Sequence, residues 1–395
     1  MIAAQLTARF PSGMMSLGIL LHVHHITGSY GSAGVVLAAT SIGQAASGPV
    51  TSRWMGRWGM RRVLTLTTAV CAAAILGLAL SPAVLSLLMV LGAVAGLATP
   101  PVQSAVRTIY PKLVSARHLT PLFSLDASLQ EIIWILAPVL ITFVSMQVGT
   151  VTGLLVVVVI LCGGGTWFIL SPEVGQVRIP PSRRAFGKVL ARPAVLLSTV
   201  CGFLLVGACA AVEVGVVATF SEGDLRAGLV LAVFSLGSLV GGLGSGRIPI
   251  GRWAMARRMA IVTVGLALTM IALNVWWIGG ALFFAGIGVA PAFAVLFAMT
   301  SASVKFSDTA EAFGWVGTGQ LIGAAAGSAV AGFLIDGVGE LGAYGAAAAF
   351  AALGMIVAVV FLRGFPDLRH RDASPIPDTE PIGTITPVPG ATMEQ

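Results

Sequence analysis

The chain has 395 residues, of which 57% are hydrophobic and only 9% are charged, and its mean hydropathy is +0.97. These values leave too few polar side chains to cover the surface of a water-soluble globule of this length. The net charge of +7 would suit nucleic acid, but the basic residues are scattered over short loops, where anionic lipid headgroups account for them. We therefore expect a lipid bilayer around the protein and no nucleic-acid partner.

Apolar segments recur along the chain at a length of roughly 20 residues, which is what an α-helix needs to cross the ~30 Å hydrocarbon core of a bilayer. Helices are required because lipid offers backbone polar groups no partner, and the period-2 alternation of a transmembrane barrel is missing. We predict an all-α polytopic membrane protein with twelve transmembrane helices. They are placed near residues 8–28, 32–52, 63–80, 83–106, 121–146, 151–170, 194–220, 227–246, 257–275, 277–302, 310–335 and 341–362.

The basic residues alternate between the gaps that separate these segments. All but Arg226 of the 22 Lys and Arg residues fall in one set of gaps, which the positive-inside rule places in the cytoplasm. We therefore expect a multi-pass protein of the inner (plasma) membrane with both termini in the cytoplasm. The basic clusters are Arg53, Arg57, Arg61 and Arg62; Arg107, Lys112 and Arg117; Arg178, Arg183, Arg184, Lys188 and Arg192; Arg247, Arg252, Arg257 and Arg258.

The usual signatures of metal sites and enzymes are missing from the sequence. The four cysteines lie inside apolar segments without CxxC spacing, so neither a disulfide framework nor a metal site is indicated: Cys71, Cys162, Cys201 and Cys209. No Gly-x4-Gly-Lys motif occurs, and no Ser/His pair or paired Asp residues on facing helices can be identified. We expect no catalytic residues, no cofactor and no direct use of ATP.

The two halves of the chain share residues in the same order, as a duplication would produce. In the first set Ser41, Gly43, Gly48 and Arg53 match Ser235, Gly237, Gly242 and Arg247. Further matches join Gly56, Arg57 and Trp58 to Gly251, Arg252 and Trp253; Arg61 and Arg62 to Arg257 and Arg258; Ala95, Gly96 and Pro101 to Ala285, Gly286 and Pro291; and Phe123 and Gln130 to Phe313 and Gln320. Helices two, four and five thus correspond to helices eight, ten and eleven.

Each repeat contains six helices, an even number, so both repeats have the same orientation and are related by a pseudo-two-fold axis along the membrane normal. Parallel repeats of this kind place a substrate path between them. We divide the chain into an N-terminal six-helix bundle (1–172), a cytoplasmic linker (173–193), a C-terminal six-helix bundle (194–364) and a disordered cytoplasmic tail (365–395), which is rich in proline and charge.

Six plus six helices, a basic middle loop and a Gly/Arg-rich loop between helices two and three resemble the major facilitator superfamily over about residues 8–364. The family signature in that loop is Gly, three residues, Asp-Arg, one residue, Gly-Arg-Arg or Lys. Here Arg57, Gly59 and Arg61 match, whereas Ser52 stands at the first Gly and Gly56 at the Asp. The resemblance implies a cytoplasmic gate, to which we assign Arg53, Arg57, Gly59, Arg61 and Arg107.

The fifth helix resembles that of bacterial drug exporters in part. Of their Gly-Pro pair only Pro138 is present, preceded by Ala137, but the helix also contains a polar set that is similar to efflux proteins. That set is Asp126, Gln130, Glu131 and Trp134. The resemblance favours export over uptake.

Acidic side chains inside the predicted membrane helices are the first candidates for chemistry, because an ionised group near the bilayer centre costs at least about 2.5 kcal/mol on insertion scales. Asp126 and Glu131 lie five residues apart and therefore about 140° apart around helix five, too far to form one acid pair. Asp126 shares its face with Gln130, whose counterpart in the second repeat is Gln320. For Asp126 a structural salt bridge to Arg107 or to the loop arginines competes with a binding role.

For Glu131 a hydrogen-bonded helix contact competes with proton or substrate binding. A second candidate pair is His22 of helix one and Glu213 of helix seven, its counterpart in the other repeat. In the family fold these helices face each other across the cavity, so we predict a protonation-sensitive pair between the halves, since imidazole titrates near neutral pH. A chance pairing of two polar residues is the alternative, and His22 with His25 at i, i+3 spacing leaves a metal site as a weaker one.

Small residues repeat every four positions on helices eight and eleven, which lets a neighbouring backbone approach closely. The glycines are Gly237 and Gly241 on helix eight, and Gly319, Gly323 and Gly327 on helix eleven. We expect these stripes to be the sliding surfaces between the two halves, with simple packing as the alternative.

Taken together, these features predict a monomeric secondary transporter that exports a small amphiphilic compound in exchange for protons by alternating access. The partners are therefore a small-molecule substrate, protons and lipid. Proton-coupled or facilitative uptake is the alternative within transport. A non-transporting membrane receptor or scaffold is the alternative of another class.

Overall fold

The computed structural model describes residues 1–182, 184–220, 225–246 and 248–378, and within them the regular secondary structure is α-helical apart from two short 3-10 helices and one isolated β-bridge. Of the arginines assigned to the basic loops, Arg183 and Arg247 lie outside the described residues. Fourteen α-helices are described: α1 Ile2–Thr27, α2 Tyr30–Trp58, α3 Met60–Leu80, α4 Leu85–Leu97, α5 Val102–Leu113, α6 Ala116–Gln147, α7 Thr150–Leu170, α8 Pro172–Gln176, α9 Pro193–Phe220, α10 Leu225–Ser245, α11 Ala254–Leu268, α12 Val275–Ser303, α13 Phe306–Val338 and α14 Glu340–Val360.

Nine spans among the described residues are long and apolar enough to cross a membrane, with Leu85–Leu113 counted as one span. Twelve spans were predicted. α1, α2 and α11, which correspond to three of them, are not both long enough and apolar enough to be counted. α11 has only 15 residues, roughly 22 Å of helix, which is shorter than the hydrocarbon core. The protein is therefore an all-helical, multi-pass membrane protein.

The fourth predicted segment, 83–106, is not one continuous helix. α4 ends at Leu97 and α5 begins at Val102, with Pro100 and Pro101 between them. Proline has no backbone N–H to donate, so two in succession end the helical ladder. The matching Pro291 stands alone, and α12 continues through it.

The same pairs of helices pack together in both halves of the chain. α2 packs on α4 as α10 packs on α12, and α1 packs on α7 as α9 packs on α14. The match extends to single contacts: Gly96 of α4 lies against the carbonyl of Thr40, and its counterpart Gly286 lies against the carbonyl of Phe234, 194 residues after Thr40. The duplication read from the sequence is thus accompanied by equivalent packing.

The glycine stripes lie inside the second half of the chain, so the expectation that they form the surface between the halves is wrong. A Cβ on Gly237 or Gly241 would overlap carbonyl oxygens of α12, and a Cβ on Gly323 or Gly327 would overlap carbonyl oxygens of α9. Gly319 lies against Thr199 of α9 in the same way. α10 and α13 each have two packed faces, and periodicity does not tell which face the glycines occupy.

The halves meet through other helices and other glycines. α2 packs on α13, and α6 packs on α10 and α12. A Cβ on Gly314 of α13 would lie 2.7 Å from the carbonyl oxygen of Gly48 of α2. Gly242 of α10, the counterpart of Gly48, lies against Ser128 of α6. Equivalent glycines of the two repeats therefore serve equivalent contacts between the halves.

The segment after α14 was expected to be disordered from residue 365 onward, and this is wrong for residues 365–378. Ile376 exchanges backbone hydrogen bonds with Val304 and Phe306, at 2.8 and 3.1 Å, and Leu368 donates to the carbonyl of Ile250. The side chains of Phe365, Leu368 and Ala373 are buried. The composition of this segment did not predict its order, because its few apolar residues are buried only by contact with the folded helices. Residues 379–395 lie outside the described residues.

Candidate functional site

A buried network of polar side chains surrounds Asp126 of α6. One carboxylate oxygen accepts from Arg9 Nη1 at 2.6 Å and from the hydroxyl of Tyr110 at 2.9 Å, and the other accepts from Arg107 Nε at 3.1 Å. All four side chains are almost fully buried. Asp126 therefore bridges α1 and α5 through two charged hydrogen bonds, the strong kind in proteins.

Gln130 completes this network one helical turn after Asp126. Its Oε1 accepts from Arg9 Nη2 at 2.6 Å and from Arg107 Nη2 at 3.0 Å. Gln5 accepts from Arg9 and donates to Tyr110. We call these six residues the charge network: Gln5, Arg9, Arg107, Tyr110, Asp126 and Gln130.

The charge network holds two guanidinium groups and one carboxylate, so it has a surplus of one positive charge. Arg9 Nε is buried without a hydrogen-bond partner in the described structure. The guanidinium of Arg107 also lies over the ring of Phe297, with Cζ 3.5 Å from the ring centroid. Phe297 belongs to α12, so this contact joins the two halves.

The sequence predicted the ion pair between Asp126 and Arg107, and the structure has it. It missed Arg9, which was placed on the basic side as one more topology signal. The position of Arg9 along its helix could have revealed this role. Arg9 is the eighth residue of α1 and Gln5 lies one turn before it, and a basic side chain inside a membrane helix favours a buried partner. Arg107 was assigned to the gate and instead lies inside the charge network.

Glu131 lies on another face of α6 and points at the second half of the chain. Its Oε1 accepts from Ser238 Oγ of α10 at 3.0 Å, and Ser238 also accepts from the amide of Ala290 beside Pro291. Glu213, the other candidate carboxylate, lies on α9 of the second half. We call Glu131 and Glu213 the acidic pair; Glu131 is half-buried and Glu213 is exposed.

The structure does not bring His22 and Glu213 together. His22 is buried on α1, and its Nδ1 lies 3.1 Å from the hydroxyl of Thr150 on α7. Sequence reasoning placed the two residues in equivalent helices but could not tell which way each side chain points. No group of three or more His, Cys, Asp or Glu residues that could hold a metal ion occurs among the described residues.

Gln320 of α13, the counterpart of Gln130, is buried beside Gly202 of α9. Its Nε2 has no hydrogen-bond partner within the described part of the chain. The second half therefore contains, at the position equivalent to Gln130, a buried polar side chain with a free donor among the described residues.

One end of the helices carries the exposed arginines that follow α2, and we call it the basic end. There Arg53 of α2 forms an ion pair with Glu311 of α13 at 2.7 Å, and Thr318 of α13 donates to the carbonyl of Ala45 of α2 at 2.7 Å. On the other side of the molecule Ser124 of α6 donates to the carbonyl of Gly242 of α10. These contacts close the basic end of the interface between the halves.

The linker strengthens this closure. Ser182 donates to Asp308 at 2.5 Å, the amide of Gly187 donates to Glu311 at 2.8 Å, and Arg53 donates to the carbonyl of Arg184. Arg53 and Glu311 therefore bind the linker as well as each other.

The remaining gate residues have smaller roles in this conformation. Arg57 is exposed, Gly59 turns the chain between α2 and α3 with a φ of +90°, and Arg61 donates to the carbonyls of Ile169 and Ser171 after α7. Gly56 stands where the family signature has Asp, and a Cβ there would lie 3.2 Å from the carbonyl oxygen of Pro180. The linker occupies the space that an Asp side chain would need.

Three buried phenylalanines fill the centre of the basic end and form what we call the aromatic plug: Phe123, Phe297 and Phe313. Their ring centroids lie 6.2 to 6.4 Å apart. Phe123 and Phe313 are counterparts in the two repeats. A residue can touch its counterpart only near the axis that relates the repeats, so the plug lies on that axis.

We expect Gly314→Ala to separate α2 from α13 at the basic end, because its methyl group would lie 2.7 Å from the carbonyl oxygen of Gly48. Double electron–electron resonance between spin labels at Arg57 and Ser303 should show a longer distance population. Gly317→Ala, three residues further along α13, has nothing within 4 Å of its Cβ and should leave the distance unchanged. Identical distributions for both variants would contradict the assignment of Gly314 to the closure.

Comparisons with known proteins agree with this architecture. The sequence profile of the Major Facilitator Superfamily matches residues 1–273 and 227–388. The crystal structure of the human organic anion transporter MFSD10 (TETRAN) superposes with a TM-score of 0.71 at 14% identity, over 90% of this chain and 97% of that one. A bacterial homologue of the iron transporter ferroportin, in an outward-facing state, superposes with a TM-score of 0.71 at 14% identity, over 91% and 98%. Curated protein sequences give no match. At 14% identity these structural likenesses show the fold alone.

Proposed function

The chain belongs to the Major Facilitator Superfamily and is a membrane transport protein, and we propose that it exports a small amphiphilic compound in exchange for protons. The observation that carries the proposal is the hydrogen bond that Glu131, in the first half, accepts from Ser238 of the second half; Glu213 of the acidic pair adds a carboxylate from that second half. Coupling by alternating access needs a titratable group that meets different surroundings when the halves move. The acidic pair meets that need.

We propose twelve membrane-spanning helices in two bundles, 1–172 and 194–364, joined by the linker 173–193. Fourteen α-helices become twelve spans when α4 and α5 are one interrupted span and the five-residue α8 lies outside the membrane. The basic end then faces the cytoplasm of a cell whose inner membrane holds the protein, and both termini lie on that side. The equivalent packing in the two halves supports the division.

Glu131 and Glu213 are carboxylates on membrane-spanning helices, and protonation or a nearby cation removes the cost of holding their charge there. Ser238 holds Glu131 from the opposite half, so separation of α6 from α10 breaks that hydrogen bond. We therefore assign proton binding to the acidic pair. We assign substrate binding to the charge network and to Gln320, the counterpart of Gln130, and His22 remains a further candidate for proton binding.

The closure of this conformation lies at the basic end, through Arg53 with Glu311 and through the aromatic plug. Transport then requires a second conformation in which this closure opens and the opposite end closes. The structure of the bacterial homologue of ferroportin is of an outward-facing state, which is the state that a closed cytoplasmic end corresponds to. MFSD10 is an organic anion transporter, and anionic amphiphiles therefore belong in any substrate screen.

Proteoliposomes test the function directly. They should be loaded with a pH-sensitive dye and exposed to a panel of small amphiphilic amines, carboxylates and zwitterions. Proton flux that depends on a compound and runs opposite to its movement supports proton-coupled export. Co-directional flux supports symport, compound movement without proton flux supports facilitated diffusion, and a panel without any flux supports the receptor alternative. Flux that is first order in protein per vesicle would fit a monomer.

A further inference from the structure

The surplus positive charge of the charge network needs stabilisation that the network itself does not supply. Arg9 and Arg107 share the single carboxylate of Asp126, and Gln130 offers both of them only a neutral oxygen. Both guanidinium groups are almost fully buried, with their residues 2% and 1% exposed. A buried charge without full compensation is costly, so any further favourable contact to it has a large effect.

Phe297 supplies such a contact from the other half of the chain. Its ring lies 3.5 Å below Cζ of Arg107, and the ring itself is buried. The electron-rich face of an aromatic ring attracts a cation, and the attraction is strongest where water is excluded. Because Arg107 belongs to α5 and Phe297 to α12, the contact exists only while the two halves meet at the basic end.

The position of this contact on the pseudo-two-fold axis gives it further weight. Pro101 matches Pro291 and Phe123 matches Phe313, each 190 residues apart, and the same offset pairs Arg107 with Phe297. These two counterparts touch, as Phe123 and Phe313 do. One repeat therefore places a cation at the centre of the closure, and the other places an aromatic ring at the same site. After the duplication, the two equivalent positions diverged into a cation, Arg107, and an aromatic ring, Phe297, which attract each other.

We propose that Phe297 is a positioning residue for transport: its ring completes the surroundings of the surplus charge only when the basic end is closed, so the charge network biases the protein toward that closed form. The inference rests on the proposed alternating access. Beyond alternating access, the inference says that the attraction between the Arg107 guanidinium and the Phe297 ring stabilises the closed basic end, in addition to apolar packing. A ligand or proton that changes the charge of the network would then change the closure directly.

The test replaces Phe297 with mono-, di- and trifluorophenylalanine, which keep the ring nearly the same size while they weaken its negative face. The reporter is Thr318→Cys, at the contact between α2 and α13, in a protein whose native cysteines are replaced by serine. The readout is the rate at which a water-soluble maleimide labels this cysteine from the basic end in proteoliposomes. We expect the rate to rise with each added fluorine, about tenfold over the series.

Phe123 provides the matched control, because its ring packs against Phe297 and Phe313 within the same plug. The same fluorinated series at Phe123 should leave the labelling rate unchanged. A flat series at Phe297, or an equal rise at both positions, would show that the plug acts by packing alone and would overturn the proposal.

Labelling needs no substrate, so its result is independent of whether the transported compound is known. A graded series in a protein that moves no compound would uphold the cation–ring contact and reject the transport function. An unchanged labelling rate across the Phe297 series, in a protein with proton-coupled flux, would reject the role of the cation–ring contact and uphold the transport function.

Discussion

Asp126→Asn is expected to be the most damaging single substitution in the protein. The change keeps the shape of the side chain but removes the one carboxylate that, within the described residues, forms ion pairs with Arg9 and Arg107. Two buried positive charges then repel each other, and breaking a buried ion pair from one side costs about 3–5 kcal/mol. We expect a large loss of detergent-solubilised protein on size-exclusion chromatography and a strongly lowered melting temperature.

Two comparisons make this prediction specific. Asp336→Asn changes an exposed carboxylate and should leave melting unaltered. In the double variant Asp126→Asn with Arg9→Gln, the surplus returns to one positive charge, so part of the lost stability should come back. A double variant as unstable as the sum of its single variants would show that the residues do not act as one network.

Glu131→Gln is expected to abolish accumulation driven by a pH gradient while it preserves exchange of compound across the membrane. The amide still accepts from Ser238, so the hydrogen bond between α6 and α10 survives, but the group can no longer take up a proton. The measurement compares gradient-driven flux with counterflow at equal pH in the same proteoliposomes. Loss of the first with retention of the second would separate coupling from conformational change.

Glu213→Gln should have the same effect in weaker form, because Glu213 is exposed, whereas Glu131 is half-buried and bonded to Ser238 of the opposite half. Glu340→Gln, at the start of α14, serves as the control and should transport normally. Unchanged gradient-driven flux in both Glu131→Gln and Glu213→Gln would remove the acidic pair from the coupling mechanism. His22 would then be the next group to substitute.

The helices could be predicted from the sequence because the rule behind them is local. Roughly twenty apolar residues can satisfy their backbone in lipid only as a helix, and each predicted segment falls on one described helix except the fourth, which falls on two. The break at Pro100 and Pro101 follows from an equally local rule. Two successive prolines lack the backbone N–H groups that the hydrogen bonds of an α-helix need, so the helix ends there. Composition and period thus sufficed to predict an all-helical, multi-pass membrane protein.

The candidate site could be predicted only in part, because the direction of a side chain depends on its neighbours. The pairing of Asp126 with Arg107 followed from the cost of an unpaired buried charge. The pairing of His22 with Glu213 rested on equivalent helices alone, and the structure turns His22 toward Thr150. The glycines of α10 and α13 had the correct spacing but an unforeseen partner.

The sequence by itself determined the membrane environment, the segments that become helices and the duplication, since each depends on composition or on matches along the chain. Only the tertiary structure decided which helix faces meet. Arg9 forms an ion pair with Asp126, and Glu131 accepts a hydrogen bond from Ser238. The guanidinium of Arg107 lies over the ring of its counterpart Phe297. The physical reason is the lipid. It makes every helix satisfy its own backbone, which is visible in sequence, but it leaves the few buried charges to find partners on other helices, which is a property of the folded bundle.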